Sequence, residues 1–493
     1  MIDFDIIGDN NRIPLVQIEI NNSMAVTGTP AQRQSVLIFG QRDRSSYGVV
    51  DFPVRITRAS RAAELWGRGS MIARMVAEFI AINPDTELYA IAQGDGTGST
   101  AAGTVAISGT ARSDGVLSIY IAGHPYHIAV NKGDKGKDLA DLLSTRINAN
   151  PEAPVTANTS APSDNKDETR KQVNLISRFV GESAVPDVQL NYYSGDVTPS
   201  GISVFTSGVV APKNPDITHS IAAMGTQQYN YIVMPYKDTA NLKILADELL
   251  KRWGPVKMSD GMVWMAHTGT FGAATSFGES RNDFLFTCTS IPKAPEPDYI
   301  WAASICAVCA PSLSTDPARP LQTLALPSRM APKAPARLTR EERNSLLYSG
   351  VSTVTIAAGD VVQIERQVTM YRQNAYGESD TSYLDVETIY TLSYLRYSLR
   401  TFITQRFPRH KLADNGTPVR PGQNIVTPEI MTLQLIALGE EWVDQGLVEN
   451  LDTFKKNLLV ERNAKDRNRL DVMCTPDLVN QFRFMAAQIR FIL

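Results

Sequence analysis

Two stretches of this chain alternate buried-type strands with helical patterns, and this alternation restricts the fold more than any other feature. In the first stretch, the apolar run SVLIFGQ (35–41) precedes a predicted helix over 71–82, which Ser70 caps and Asn83–Pro84 ends. The strand ELYAIAQ (87–93) follows. In the second stretch, the predicted strands YNYIVMPY and GMVWMAHTG flank the helical pattern TANLKILADELLKRWG. This order indicates an α/β domain.

The segment between these stretches has a different pattern. It begins at the glycine-rich GDGTGST (Gly94–Thr100) and continues with strand-like runs, Gly-rich turns and one helical pattern, KDLADLLSTRINAN. The α/β pattern returns near Val204. We therefore predict a β-rich domain over 94–203, inserted into an α/β middle domain that comprises 31–93 and 204–328.

A third region follows the Pro/Ala-rich linker PSRMAPKAPARL (327–338). Thr339 and Glu342 have the spacing of a helix capping box. A long amphipathic helical pattern runs through DVETIYTLSYLRYSLRTFITQRF, and a later one begins with Thr427 as N-cap and Pro428 at the first helical position. These patterns predict a C-terminal α+β domain over 329–480, so that the chain as a whole is an α+β multidomain protein.

Both ends of the chain carry apolar strand patterns. The C-terminal QFRFMAAQIRFIL (481–493) ends on apolar residues, and VQIEI (16–20) alternates apolar and polar residues within the predicted N-terminal arm, 1–30. An exposed apolar strand favours aggregation in a monomer. Two interpretations follow: each strand pairs within its own subunit, or it joins the sheet of another subunit by strand addition.

The composition is that of a globular protein, with 43% apolar and 20% charged residues. The net charge of -3 gives no indication of a nucleic-acid or anionic-membrane partner. The apolar run YIWAASICAVCAPSL (299–313) is too short to span a bilayer. The acidic N-terminus does not fit a signal peptide, and four cysteines form no disulfide framework. We expect a protein made and kept in a cytoplasm.

Two motifs invite a chemical interpretation. A phosphate-binding loop at GDGTGS requires a following helix N-terminus, whereas a β-like segment follows here, so a hinge is favoured. A zinc site at Cys306 and Cys309 requires a second ligand pair, which is missing nearby. A redox pair would be exposed at a helix start, whereas these cysteines lie among small apolar residues. Buried structural cysteines are therefore the favoured interpretation.

The remaining polar candidates do not converge. His124 and His127 are three residues apart in a predicted strand, which places them on opposite faces. The neighbouring acids Glu341–Glu342 and Glu440–Glu441 diverge by about 100° on a helix. The basic cluster RFPRHK (406–411) is typical of a solvated helix end or a protein-binding patch. We expect neither a catalytic residue nor a cofactor-binding or metal-binding site.

A set of long motifs identifies a family. The chain closely resembles the contractile tail sheath proteins of Mu-like bacteriophages, within the phage tail sheath family. The motifs that carry the resemblance are SMIARMVAEFIAINP and RWGP, followed by DPARPLQTLALP, LTREERNSLLYSGVST, DTSYLDVETIYTLSYLRY, FPRHKLADNGTPV, NIVTPE, QGLVENLDTFKKNLLVERN and RNRLDVMCTPDLVN. The resemblance spans nearly the whole chain and is weakest in 94–203.

The resemblance implies a structural subunit without a cofactor. Sheath subunits form hexameric rings that stack helically around a tail tube protein, and the sleeve contracts on a signal from the baseplate to drive the tube through the host envelope. The implied partners are other copies of the chain, the tube, baseplate and tail terminator proteins, without nucleic acid or direct membrane insertion. The implied location is the virion, after assembly in the host cytoplasm. Alternatives are a sheath of a non-viral injection system (a bacteriocin or domesticated prophage) and an α/β nucleotide-binding enzyme.

The resemblance also implies roles for particular segments. Terminal arms exchange strands between subunits, the C-terminal domain faces the tube, and the inserted domain lies outside. The implied inter-subunit strands contain Val16, Gln17, Ile18, Glu19 and Ile20 at one end and Phe482, Phe484, Ile489, Phe491 and Leu493 at the other. We take the acidic residues of the helix that starts at Thr427 as candidates for the tube-facing surface: Glu429, Glu440, Glu441 and Asp444.

Overall fold

The structure is a computed structural model that describes residues 29, 32–94, 102–161, 167–184, 187–208, 213–418, 420 and 422–492. These residues fall into two compact units. The larger unit comprises Arg33–Ser393 and Asn480–Leu493, and the smaller unit contains Tyr394–Val479 with the described residues of Met1–Gln32.

The larger unit begins with the first predicted α/β stretch. Its elements are β1 (Ser35–Gln41), β2 (Val54–Ile56), α1 (Ala59–Trp66), α2 (Met71–Ile82) and β3 (Glu87–Gln93). Strand β1 is buried along its whole length, as its unbroken apolar sequence predicts. Helix α2 begins at the predicted cap, where the Ser70 hydroxyl accepts a hydrogen bond from the backbone N–H of Ala73. The predicted strand–helix–strand order is confirmed here.

The next segment, which we call the insert (102–208), folds mainly as antiparallel strands. Its elements are β4 (Ala102–Gly109), β5 (Gly115–Ile121), β6 (His124–Val130), α3 (Gly136–Ala149), β7 (Val155–Ser160), β8 (Lys171–Ser177), β9 (Val188–Leu190) and β10 (Ile202–Gly208). They form the sheets β10-β4-β8-β7 and β6-β5-β9 around their own cluster of buried apolar residues. Because β10 pairs with β4 as far as Gly208, the sequence boundary at residue 203 falls inside a strand and is too early.

The α/β pattern then resumes. Its elements are α4 (Thr218–Ala223), β11 (Tyr231–Val233), α5 (Thr239–Trp253), β12 (Met262–His267), α6 (Phe271–Glu279), β13 (Phe286–Ser290) and α7 (Asp298–Thr315). Together with the first stretch they build a six-stranded sheet in the order β13-β12-β11-β1-β3-β2. All neighbouring strands are parallel except β2 and β3. Strand β1 lies between β3 and β11, so the strand order reverses direction at β1.

The larger unit extends past the predicted domain boundary at residue 329. It includes α8 (Arg340–Tyr348), β14 (Thr353–Ile356), β15 (Val362–Arg366) and the start of α9 (Val386–Arg406). Backbone hydrogen bonds connect this extension to β13. The N–H of Ser290 donates to the carbonyl of Ser352 at 2.9 Å, and the N–H of Ser352 donates to the carbonyl of Cys288 at 2.8 Å. The division between the two units falls within α9, at Ser393. The predicted capping box of α8 is confirmed.

The smaller unit contains short strands and two further helices. Its remaining elements are β16 (Lys411–Leu412), β17 (Ile425–Val426), α10 (Pro428–Asp444), β18 (Val448–Glu449), α11 (Leu451–Asn457), β19 (Leu459–Arg462), β20 (Leu470–Met473) and β21 (Asp477–Leu478). The side chain of Thr427 caps α10 and Pro428 occupies its first position, as predicted. Helix α10 buries Leu435, Leu438 and Trp442.

Candidate assembly interface

The C-terminal segment forms neither a helix nor a strand over its described residues, 480–492. Its apolar side chains point into solvent: the exposed fraction is 71% for Phe482, 73% for Phe484, 90% for Ile489 and 78% for Phe491. Leu493 lies outside the described residues. A run of exposed large apolar side chains marks an interaction surface. Pairing of this segment within its own subunit is therefore absent from the described part of the chain.

The predicted N-terminal strand, Val16–Ile20, lies outside the described residues. Thr29 is the first described residue that follows this strand in sequence, and its backbone N–H donates to Oε1 of Glu441 at 2.6 Å. This hydrogen bond is the described connection between the predicted N-terminal arm and α10.

Three of the four acidic candidates on α10 share one exposed face. Glu429, Glu440 and Asp444 are exposed, and the helical spacing places Leu433 and Ala437, which are also exposed, between them. Leu433 is 62% exposed. The result is an apolar centre with carboxylates at both ends, which suits a partner that combines basic and apolar side chains. We call this set of five residues the α10 face.

Glu441 belongs to a different face of α10. It is half-buried and is occupied by hydrogen bonds from the Thr29 amide and, at 3.3 Å, from the Gln445 side chain. The sequence analysis grouped it with Glu440 because both are acidic residues of one helix, although successive helical positions diverge by about 100°. The same periodicity would have identified Leu433 and Ala437, which the sequence analysis missed.

The hairpin β19–β20 offers a place for strand addition in the smaller unit. Its two strands pair antiparallel from Leu459 with Met473 to Arg462 with Leu470, and no third described strand joins them. Leu459 and Met473 are exposed, although β19 packs against α10. A two-stranded sheet is only marginally stable alone, and its open edges can accept further strands.

The crevice where an α/β sheet would hold a nucleotide is filled by the chain itself. In open α/β folds this crevice lies beyond the carboxyl ends of the strands, where the strand order reverses. Here it lies beyond β1 and β11. The Gln41 side chain at the end of β1 binds the backbone of Val180, and the Ser183 hydroxyl donates to the carbonyl of Pro235 at 2.9 Å. Phe179 and Val180 are buried there.

The glycine-rich motif also lacks the setting of a phosphate loop. Residues 95–101 lie outside the described residues, and strand β4 follows them rather than a helix. The predicted β segment after the glycines is thereby confirmed. A phosphate loop leads into a helix N-terminus, which supplies amide donors and a favourable dipole, whereas this motif leads into strand β4.

The two candidate cysteines are buried structural residues, and the two candidate histidines do not share a site. Cys306 and Cys309 are fully buried in α7, where burial raises the pKa of both thiols well above the usual range, as expected of structural cysteines. Burial, with the nearby charge of Arg74, lowers the pKa of His124 to about 4, and His127 lies close to the Ser118 hydroxyl instead. Within the described residues, no three side chains of His, Cys, Asp or Glu group as a metal site requires.

None of the helices that the structure describes combines the length and apolar character needed to cross a membrane.

Comparison with known proteins identifies similar chains. Two family models match: the phage tail sheath protein central domain over residues 211–370 and the phage tail sheath C-terminal domain over residues 378–492. The chain is 43% identical over 495 residues to the Mu-like prophage FluMu tail sheath protein of Haemophilus influenzae, with 100% of both chains covered.

Two solved structures are similar at low sequence identity. The sheath tail protein from Desulfitobacterium hafniense is 12% identical, with 94% of this chain and 100% of that chain covered and a TM-score of 0.47. The sheath tail protein from Listeria innocua is also 12% identical, with 91% and 96% covered and a TM-score of 0.46.

Proposed function

The chain belongs to the phage tail sheath protein family, and on that premise we propose that it polymerises as stacked hexameric rings around a tail tube and contracts to drive the tube through a host envelope. The full-length match to a prophage tail sheath protein is the observation that carries this proposal. The chain is a structural tail component of a contractile phage or injection system, not an enzyme. The prophage relative favours the phage tail over a bacteriocin.

Strand exchange is the proposed connection between subunits. The exposed apolar residues of the C-terminal segment supply a strand without a partner, and β19–β20 supplies a sheet with open edges. Adding one to the other in a neighbouring copy pairs the backbone and buries alternate side chains. The N-terminal strand Val16–Ile20 has the same proposed role at a second position.

The α10 face is the proposed contact with the tube. It presents carboxylates at Glu429, Glu440 and Asp444 around the exposed Leu433. Such a surface complements a tube that carries basic residues on its outside, and electrostatic complementarity fixes register between partners. Baseplate and terminator proteins at the two ends of the sleeve complete the proposed partners. The sleeve belongs to the virion, and assembly takes place in the host cytoplasm.

The insert is the proposed outer domain. It has a hydrophobic cluster separate from that of the six-stranded sheet, which supports its treatment as a domain. Residues 178–184 nevertheless close the crevice beyond β1, and Arg178 forms an ion pair with Asp43 at 3.2 Å. The insert is thus attached to the sheet by more than its two chain connections.

Negative-stain electron microscopy of the concentrated full-length protein tests the proposal. We expect sleeves or tubes with sixfold end views. Discrete particles of one subunit at all concentrations, with the tube protein present or absent, would contradict it.

A further inference from the structure

The base of the C-terminal segment carries a buried ion pair with the body of the larger unit. Nη2 of Arg483 lies 2.9 Å from Oε1 of Glu387 and 3.2 Å from Oδ1 of Asp385. The carbonyl of the neighbouring Phe482 accepts a hydrogen bond from Gln322 at 3.3 Å. These contacts hold the segment at one point, between the exposed side chains of Phe482 and Phe484.

The carboxylates that receive Arg483 are fixed in place. Glu387 has no exposed surface, and its Oε1 also accepts the backbone N–H of Leu321 at 3.0 Å. Asp385 is bound by two nitrogens of Arg366, at 2.9 and 3.0 Å. Arg483 therefore enters a preformed pair of acids.

Removal of Arg483 would leave Glu387 without its positive partner. A buried carboxylate that loses its partner is strongly destabilised. Arg366 lies close enough for the charge of Glu387 to raise its pKa, but its hydrogen bonds go to Asp385. The arginine thus has an energetic role that the exposed apolar residues after it do not share.

Arg490 provides a natural comparison within the same segment. It is exposed, and its described contact is a hydrogen bond to the side chain of Gln488, two residues away. The two arginines have the same charge and lie in the same segment, yet among the described contacts only those of Arg483 reach the body of the larger unit.

We propose that Arg483 is a positioning residue that anchors the C-terminal segment to its own subunit and so fixes the point from which residues 484–492 reach a second copy of the chain. The second part of this statement rests on the proposed function. An anchored base limits the volume that the segment searches, which raises its effective concentration at a correctly placed neighbour.

Hydrogen exchange of the unassembled subunit tests the anchor without reference to assembly. In Arg483→Gln we expect the Leu321 amide, which donates to Glu387, to exchange at least about tenfold faster, a factor that corresponds to about 1.4 kcal/mol. Arg490→Gln, the matched control, should exchange as the unmodified protein does. Unchanged exchange in Arg483→Gln would overturn the proposal.

A double variant guards against general unfolding. Arg483→Gln/Glu387→Gln removes both charges, so it leaves no unpaired buried carboxylate, while the anchor is still lost. We expect it to retain a cooperative melt and to show lower NMR backbone order parameters at 481–484. Order parameters as high as in the unmodified protein would count against an anchoring role for Arg483.

Sleeve formation is then scored separately. If Arg483→Gln/Glu387→Gln forms fewer or irregular sleeves while Arg490→Gln forms normal ones, the anchor guides assembly. Normal sleeves from the double variant would overturn the guiding role. If the unmodified protein forms no sleeves, the proposed function fails, whereas the exchange experiment still decides whether the anchor exists.

Discussion

Gln41 binds the backbone of Val180 with both ends of its carboxamide: Nε2 donates to the carbonyl oxygen at 2.6 Å and Oε1 accepts the N–H at 3.1 Å. The two residues are 139 positions apart, and both are buried. The carboxamide thus supplies one donor and one acceptor, as a neighbouring strand would. These two hydrogen bonds satisfy the backbone of a chain segment that passes across the end of β1.

Replacement of Gln41 by Met should destabilise the larger unit. The substitution keeps the side-chain volume but leaves the buried N–H and C=O of Val180 without partners, and each costs about 1–3 kcal/mol. Urea unfolding should report a loss of about 2–6 kcal/mol. The exposed Gln227→Met is the control and should change stability by less than about 0.5 kcal/mol. Equal stability of the two variants would contradict a role for Gln41 in closing the crevice.

Deletion of residues 484–493 should abolish sleeves and leave the subunit folded. This truncation keeps Arg483, so Glu387 retains its partner. Burial of Phe484, Ile489 and Phe491 in a neighbour would supply about 1.5–3 kcal/mol each, and the truncated polymer loses this contribution. Circular dichroism should show an unchanged helical signal and melt. Persistent sleeves would mean that the segment is not the connector, and an unfolded subunit would place it in its own core.

Proline at position 18 should have the same effect through the N-terminal strand. The Ile18→Pro variant lacks one backbone donor, which a central strand cannot spare. Light scattering should detect loss of polymer at concentrations where the unmodified chain assembles. The Pro14→Ala variant changes a proline outside the predicted strand 16–20 and serves as the comparison. Normal polymer from Ile18→Pro would argue against strand exchange at this end.

Charge reversal on the α10 face should weaken tube binding while preserving the fold. In Glu429→Lys/Glu440→Lys, the loss of the Glu440–Lys455 ion pair at 2.9 Å costs at most about 1 kcal/mol, because the pair is exposed. Co-sedimentation with preformed tubes should fall at least about tenfold, since like charges across an interface cost several kcal/mol. Glu341→Lys on α8 is the control. Undiminished co-sedimentation would place the tube contact elsewhere.

The stability of the larger unit should fall as the pH drops from about 6.5 to about 4. Burial and the nearby charge of Lys237 lower the pKa of His267 to about 4, and its Nδ1 accepts the N–H of Gly269 at 3.2 Å. Between these pH values the imidazole binds a proton in the unfolded chain but not in the native state. Protonation of His267 therefore lowers the free energy of unfolding by on the order of 2–3 kcal/mol once the pH reaches about 4. Between about pH 6.5 and 4, the melting temperature should fall less steeply for His267→Gln than for the exposed His219→Gln. Equal slopes for the two variants would exclude His267 as the cause of the loss of stability.

Local signals account for what the sequence predicted well. Ser70, Thr339 and Thr427 mark helix starts because a hydroxyl that accepts a nearby amide N–H acts within one turn, whatever the rest of the fold does. Four strands of the six-stranded sheet, β1, β3, β11 and β12, were also predicted from their apolar, largely buried runs, whereas β2 and β13 were not.

The contacts that define the candidate sites were not readable in this way. The partners of Gln41 and Arg483 lie 139 and 98 residues away in sequence, and neither side chain has a local pattern that identifies them. The end of the insert was placed at residue 203 because the pairing of β10 with β4 as far as Gly208 has no local sequence signal. The extension of the larger unit past residue 329 includes backbone bonds to Ser352, which no periodicity reveals.

The central position of β1 has a consequence for the order of synthesis. One side of β1 is paired by β3 soon after it is made, but the other side waits for β11, whose Tyr231 pairs with Val36 about 195 residues later. At roughly 5–20 residues per second, a ribosome needs about 10–40 s to supply it. During that time β1, which is buried along its whole length in the finished sheet, has an open edge. Unpaired strand edges of incomplete chains are prone to aggregation, so translation speed and chaperone access affect the yield of folded subunit.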